Sequence, residues 1–375
     1  MDNLIESSKV IASQVDLFQL QVMLIFKQIE TMQREITSQQ SKKLPTATLV
    51  QSQQQKKPED EVQNMISSTV ELPRIGGLKD IAGLWKIKKQ LKSLVILPLN
   101  QPQLFINHKV VNSILLFGPP GTGKTHLVHA LASEAKAVLY GVSISNMLSP
   151  FVGQSEKNVQ ALFEHVRHSE HSSILFIDEV DGFCRTRNNA EQDHSRRLKT
   201  ELMCQMSKLE GASNVFLICA TNCPWDLDTA FLRRFQKRLY VPLPNIAERR
   251  ELFQLFTRNT PLEVYRNHWS ELIEKTDGFS GSDVSDLVQG ALNLPITELE
   301  DTKIWKPSED GFYEPIVTAE DFNRDDIVCC DLSDLPFGSV RTRPVQMLDL
   351  FNSLDDITPT VSVTDIKKYE TFVSK

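Results

Sequence analysis

No stretch of the 375 residues offers the roughly 18 consecutive apolar positions that a membrane helix needs. The densest N-terminal run, Val22-Met23-Leu24-Ile25-Phe26, is flanked by Gln21 and Lys27, and nothing there has the order of a secretory signal. A basic excess is also lacking. Against 48 Asp plus Glu stand 41 Lys plus Arg, a formal charge of −7, so nucleic acid is not an expected partner. Cysteine is scarce: the six (Cys184, Cys204, Cys219, Cys223, Cys329 and Cys330) fit neither a disulfide framework nor the spacing of a zinc site. Reduced thiols in a cytoplasmic protein are expected, with Cys329 and Cys330 packed in the interior. There is no internal repeat. What is there, 41% hydrophobic and 24% charged residues, is an ordinary globular composition with room for two or three cores.

Residues 1–36 place Leu4, Val10, Val15, Phe18, Val22 and Ile25 near helical spacing and predict a helical segment. Residues 37–69 turn polar and Gln-rich, the composition of a linker that cannot bury enough surface to order itself. Over 70–244, short apolar runs alternate with helical patterns. Ser113 to Phe117, Val138 to Ile144, Ser173 to Asp178, Asn214 to Thr221 and Arg238 to Leu243 read as buried strands. Such alternation predicts an α/β domain with a five-stranded parallel sheet flanked by helices. Residues 245–296 predict a small helical domain, 297–340 a β-rich insertion, and 341–375 C-terminal helices.

The run Gly118-Pro119-Pro120-Gly121-Thr122-Gly123-Lys124-Thr125 follows a strand and opens a helix, as a phosphate-binding P-loop does. Its glycines let backbone N–H groups converge on a phosphate; Lys124 can reach the β and γ oxygens of ATP, and the Thr125 hydroxyl can ligate Mg²⁺. The strand Ile174-Leu175-Phe176-Ile177 ends in Asp178 and Glu179. Asp178 can hold the magnesium water shell while Glu179 orients the attacking water. His126 and His129, at i and i+3 on the P-loop helix, have no carboxylate or Cys to complete a metal site.

These motifs, with Ala220-Thr221-Asn222, the run Leu227 to Phe235 and Gly278-Phe279-Ser280-Gly281-Ser282-Asp283, resemble the AAA ATPases over roughly residues 72 to 375. Within that family the chain resembles the meiotic clade. That clade holds the katanin, spastin and fidgetin microtubule-severing enzymes and the vacuolar protein sorting-associated ATPase that dismantles ESCRT filaments. The resemblance implies that Asp80 and Ala82 lie along the adenine, that Gly281 and Ser282 contact the nucleotide, and that Asn222 senses the γ-phosphate or the lytic water. It also makes Arg233 and Arg234 arginine fingers toward a neighbouring subunit; Leu232 stands where a third arginine is common. Phe151 and Val152 fall in the family's first pore loop, where an aromatic grips an extended chain, with Pro150 in place of a usual Lys or Arg. The second pore loop would span Arg185 to Arg197.

The C-terminal stretches Arg343 to Phe351 and Pro359 to Glu370, and the insertion before them, resemble the ESCRT-disassembling branch. That resemblance implies an ATP-driven hexamer that threads ESCRT filament subunits through a central pore. An assembly cofactor would bind the insertion, and association with endosomal membranes would run through partners only. A severing enzyme is the alternative, disfavoured by Pro150 and the net acidity, since acidic tubulin tails call for basic pore loops. A non-hydrolysing scaffold is disfavoured by the intact Lys124, Asp178, Glu179 and Asn222. The branch opens with a recruitment domain of about 75 residues, longer than the segment available before the linker here.

Overall fold

A computed structural model describes residues 65–374 apart from 107, 143–153, 185–191, 213, 259, 261, 264–267, 309 and 317–326. The helical segment expected over 1–36 and the linker up to residue 64 lie outside the described residues. Residues 65–69, at the end of the expected linker, are helical, and Ile66 is buried against the core.

Among the described residues six strands form the main sheet: β1 (Val70–Glu71), β2 (Ser113–Phe117), β3 (Val138–Val142), β4 (Ser173–Ile177), β5 (Val215–Thr221) and β6 (Lys237–Tyr240). Their order is β1-β3-β4-β5-β2-β6. The last five run parallel, as expected, and β1 lies antiparallel on the β3 edge. Strands β2, β4 and β5 are buried along their whole length because both faces are covered. On one face Ile114, Leu116, Ile174 and Phe176 pack against α1 (Trp85–Leu91) and α2 (Lys124–Ala135). On the other, Leu115, Leu175 and Leu217 meet α3 (Gln154–Arg167) and α4 (Gln192–Lys208). Val159, Leu162, Phe163 and Val166 form the buried face of α3, and Leu198, Leu202 and Met206 that of α4, with Leu209 buried just past its end. Each such side chain contributes about 1.5–3 kcal/mol when fully buried. Because the strands are parallel, β2, β4 and β5 all deliver their carboxyl ends to one edge, where α/β sheets place their ligands.

The next helices, α5 (Ile246–Phe256), α6 (His268–Lys275), α7 (Gly281–Asp301) and α8 (Met347–Asp355), build a second core around Phe253, Leu272, Leu287, Val288 and Leu350. A capping box of Asn245 with Glu248 starts α5, and one of Ser280 with Asp283 starts α7. Helix α7 carries Pro295 and continues to Asp301, past the limit expected at 296.

A two-residue strand β7 (Leu262–Glu263) pairs in parallel with β11 (Val345–Gln346), while β8 (Ile304–Pro307), β9 (Tyr313–Pro315) and β10 (Val328–Cys329) make a three-stranded antiparallel sheet within the expected insertion. Trp305 is fully buried there, and its indole N–H donates to the Cys330 carbonyl at 2.9 Å. Cys329 is exposed and Cys330 half-buried, unlike the expected interior pair; the two-residue strand gives the Cys329 side chain no cover. The last helix, α9 (Val363–Val373), returns to the main sheet and sets Phe372 edge-on to Phe117 at 5.2 Å.

Candidate active site

The loop after β2 turns on glycines that no other residue could replace at their contacts. A Cβ on Gly118 would sit 2.1 Å from the Val241 carbonyl, and one on Gly121, at φ +73°, would meet the Ser280 hydroxyl at 2.5 Å. The start of α7 therefore lies directly against the loop, and the Ser282 N–H donates to the Gly121 carbonyl at 3.1 Å. This contact joins Gly281 and Ser282 to a motif some 160 residues earlier in the chain.

Lys124 is 7% exposed and donates to the carbonyls of Gly118 at 2.9 Å and Pro119 at 2.8 Å. Burial lowers its pKa to about 8, with Asp178 and Asp181 opposing the shift. The Thr125 hydroxyl donates to Asp178 Oδ2 at 2.6 Å, joining the P-loop helix to the end of β4. Asp178 Oδ1 accepts from the Glu179 N–H at 2.9 Å. Glu179 is exposed and holds φ at +49°, a left-handed backbone that costs a non-glycine residue about 1–2 kcal/mol. On the neighbouring strand end, Asn222 Oδ1 is buried and has no hydrogen-bond partner among the described residues.

These groups border a cavity of about 600 Å³, within the range of nucleotide-sized pockets. Asp80, Ala82, Pro120, Gly121, Thr122, Gly123, Lys124 and Thr125 line it, and so do Asp178, Glu179, Asn222, Gly281 and Ser282. Gly118 and Pro119 act through the carbonyls that hold Lys124. Arg233 and Arg234 are exposed and do not line the cavity. They follow a one-turn helix, Thr229–Leu232, capped by Asp228, and Leu232 is partly buried against the core. Phe151, Val152 and the residues 185–191 of the second expected pore loop lie outside the described residues. The rest of that loop belongs to α4, where Arg196 and Arg197 are exposed.

Sequence reasoning missed the apolar wall. Leu252, Leu255 and Phe256 of α5 line the cavity with Ile75 and Ile81. Two glutamates of α5 also fix the Asp80 to Leu84 segment: Glu251 accepts from the Gly83 N–H at 2.8 Å and Glu248 from the Leu84 N–H at 2.7 Å. The signal available was the amphipathic period of α5, which gives a buried stripe but not what it faces.

Comparison with known proteins fits this arrangement. Residues 114–243 match the model of the ATPase family associated with various cellular activities (AAA), and residues 323–375 match the Vps4 C terminal oligomerisation domain. Vacuolar protein sorting-associated protein 4 of Dictyostelium discoideum is 34% identical over 327 residues, covering 84% of this chain and 73% of that protein. Vacuolar protein sorting-associated protein 4A of Homo sapiens is 38% identical over 306 residues, covering 78% and 69%. The ATPase-like fidgetin of Schizosaccharomyces pombe is 40% identical over 242 residues, but these cover 61% of this chain and 36% of that protein. The crystal structure of the FIGL-1 AAA domain superposes with a TM-score of 0.67 at 30% identity, covering 84% of this chain and 94% of that one. The chain belongs to the AAA ATPases, in the family of vacuolar protein sorting-associated protein 4. It is an ATP hydrolase with a C-terminal oligomerisation domain.

Proposed function

We propose that this ATPase works as a hexamer that threads ESCRT filament subunits through a central pore, disassembling the filaments on endosomal membranes. The observation that carries the chemistry is the meeting of Thr125 and Asp178 at 2.6 Å beside Glu179 on the cavity wall. Support for the nucleotide comes from a relative, the FIGL-1 AAA domain in complex with ADP, of which 98% is covered at 30% identity.

A hydroxyl and a carboxylate within one hydrogen bond of each other are the hard oxygen donors that suit Mg²⁺. Thr125 and Asp178 would hold the ion, which when bound would offset negative charge on the phosphate oxygens. Lys124 exchanges two backbone carbonyls for those oxygens. Glu179 takes a proton from the attacking water, and Asn222, whose Oδ1 has no partner among the described residues, orients that water. The γ-phosphoryl group passes to water through a loose transition state whose spread charge a guanidinium can offset. Arg233 and Arg234, exposed and outside their own cavity, serve the neighbouring subunit's site.

Phe151 and Val152 grip the extended substrate. The insertion takes an assembly cofactor, and Phe337 within it is fully exposed. Partners supply the endosomal attachment, and the protein works from the cytoplasm; among the described residues no helix is long and apolar enough to cross a membrane. The fidgetin-like match covers 61% of this chain and 36% of that protein, against 84% and 73% for the sorting-associated protein of Dictyostelium discoideum. Purified protein with ATP should shorten ESCRT filaments and leave stabilised microtubules uncut, both followed by electron microscopy. Cut microtubules beside intact filaments would move the chain to the severing branch.

A further inference from the structure

The last helix reaches the catalytic edge of the sheet through one side chain. Tyr369 of α9 is 3% exposed, and its hydroxyl donates to the backbone carbonyl of Asn222 at 2.5 Å. Its ring stacks on Tyr240 at 6.0 Å and tilts against Trp225 at 5.0 Å. Tyr240 in turn stacks on Phe117 at 5.5 Å, the residue that hands β2 over to Gly118. One helix therefore touches both the strand end that enters the P-loop and the strand end that carries Asn222.

A phenylalanine would satisfy this aromatic packing as well. The hydroxyl is what differs, and it bonds the carbonyl of the residue whose side chain borders the cavity. On the far side of Asn222, the Cys223 N–H donates to Thr221 Oγ1 at 3.0 Å, and that hydroxyl donates to Asp181 at 2.8 Å. The backbone of Asn222 is thus fixed from both directions, while Oδ1 has no partner among the described residues. Burial pushes the Tyr369 phenol well above its ordinary range, so it remains a donor throughout the neutral range.

We infer that Tyr369 is a positioning residue for hydrolysis: its hydroxyl holds the Asn222 backbone so that the Asn222 side chain meets the lytic water. This rests on the role proposed for Asn222. The helix lies within the segment that matches the oligomerisation domain, yet its hydroxyl is used on the sheet of its own subunit. A positioning role is therefore separable from ring assembly.

The test is a double-mutant cycle on the single-turnover hydrolysis rate of the full chain, using Tyr369→Phe, Asn222→Ala and both together. Tyr369→Phe should slow the chemical step about three- to tenfold, the scale of one lost hydrogen bond. ADP affinity and ring mass by light scattering should stay at the wild-type values, which a general loosening of the subunit would not allow. In the Asn222→Ala background Tyr369→Phe should have no further effect, because the side chain it positions is gone. A wild-type rate for Tyr369→Phe, or a loss that multiplies undiminished with that of Asn222→Ala, overturns the inference alone. A wild-type rate for Asn222→Ala overturns the role proposed for Asn222 and this inference with it.

Discussion

Lys124 is the residue whose chemistry the sequence announces and whose surroundings it conceals. The spacing of the P-loop gives its reach toward phosphate. Only the fold shows that two backbone carbonyls hold the ammonium in a buried position where its pKa falls to about 8. Phosphate oxygens favour the charged form, so binding raises that pKa and takes up a proton wherever the free site has lost one. Nucleotide affinity should then fall as pH rises through 8. At pH 9 only about a tenth of free sites carry the proton, so the Kd for ADP should be about tenfold weaker than at pH 7. Calorimetric titration across that range checks this, and a flat profile would show that Lys124 is charged throughout. Glu179 makes a similar point. Its place after a buried strand identifies it, but its left-handed backbone at φ +49° is set by the tertiary turn into Val180 and could not be read from a Glu in sequence, since non-glycine residues rarely adopt it.

At the scale of elements, the strands were legible because a parallel strand buried on both faces must be continuously apolar, and Ser113–Phe117 and Ser173–Ile177 are observed with almost the limits expected. Helix α7 was less so. Pro295 removes one hydrogen bond and crowds the preceding turn, yet it is itself buried and the helix runs past the expected limit of 296 to Asp301. Packing outweighs the local preference here.

The end of α7 is tied down by a residue that showed only as part of a C-terminal stretch. Arg343 donates to both oxygens of Asp349, at 2.7 and 2.8 Å, and to Glu298 of α7. The Asp349 side chain is only 4% exposed. Burial pushes its pKa up, but the bonds from Arg343 and the Gln346 N–H outweigh that and hold the carboxyl below its usual range. Arg343→Ala leaves a buried charge unpaired and should cost about 3 kcal/mol, read as a lower urea midpoint. A depressed carboxylate pKa gives stability that is present above the unfolded value and lost as pH falls. The deficit of the variant should therefore be full above about pH 4 and fade below it. A deficit independent of pH would mean that lost packing, not charge, is responsible.

For the whole molecule, the order of the motifs already implied a large α/β domain, a helical domain and an insertion. It could not show that α5 walls the cavity or that α9 comes back to Asn222, because both depend on contacts between segments more than a hundred residues apart in sequence. On the proposed function, the ring is the level at which the site is completed. A single subunit brings Lys124, Thr125, Asp178, Glu179 and Asn222 to one cavity and leaves Arg233 and Arg234 out of it, as a head-to-tail assembly requires if each interface makes one site. That division is tested most directly by mixing two inactive proteins. Glu179→Gln subunits keep the arginines, and Arg233→Ala/Arg234→Ala subunits keep the carboxylate. In a random one-to-one mixture, about a quarter of the interfaces join an intact Glu179 to intact arginines. ATP turnover of the mixture should rise well above the sum of the two parents, toward that fraction of the wild-type rate. A mixture no more active than its parents, at a concentration where light scattering shows mixed rings, would contradict hydrolysis shared between neighbouring subunits.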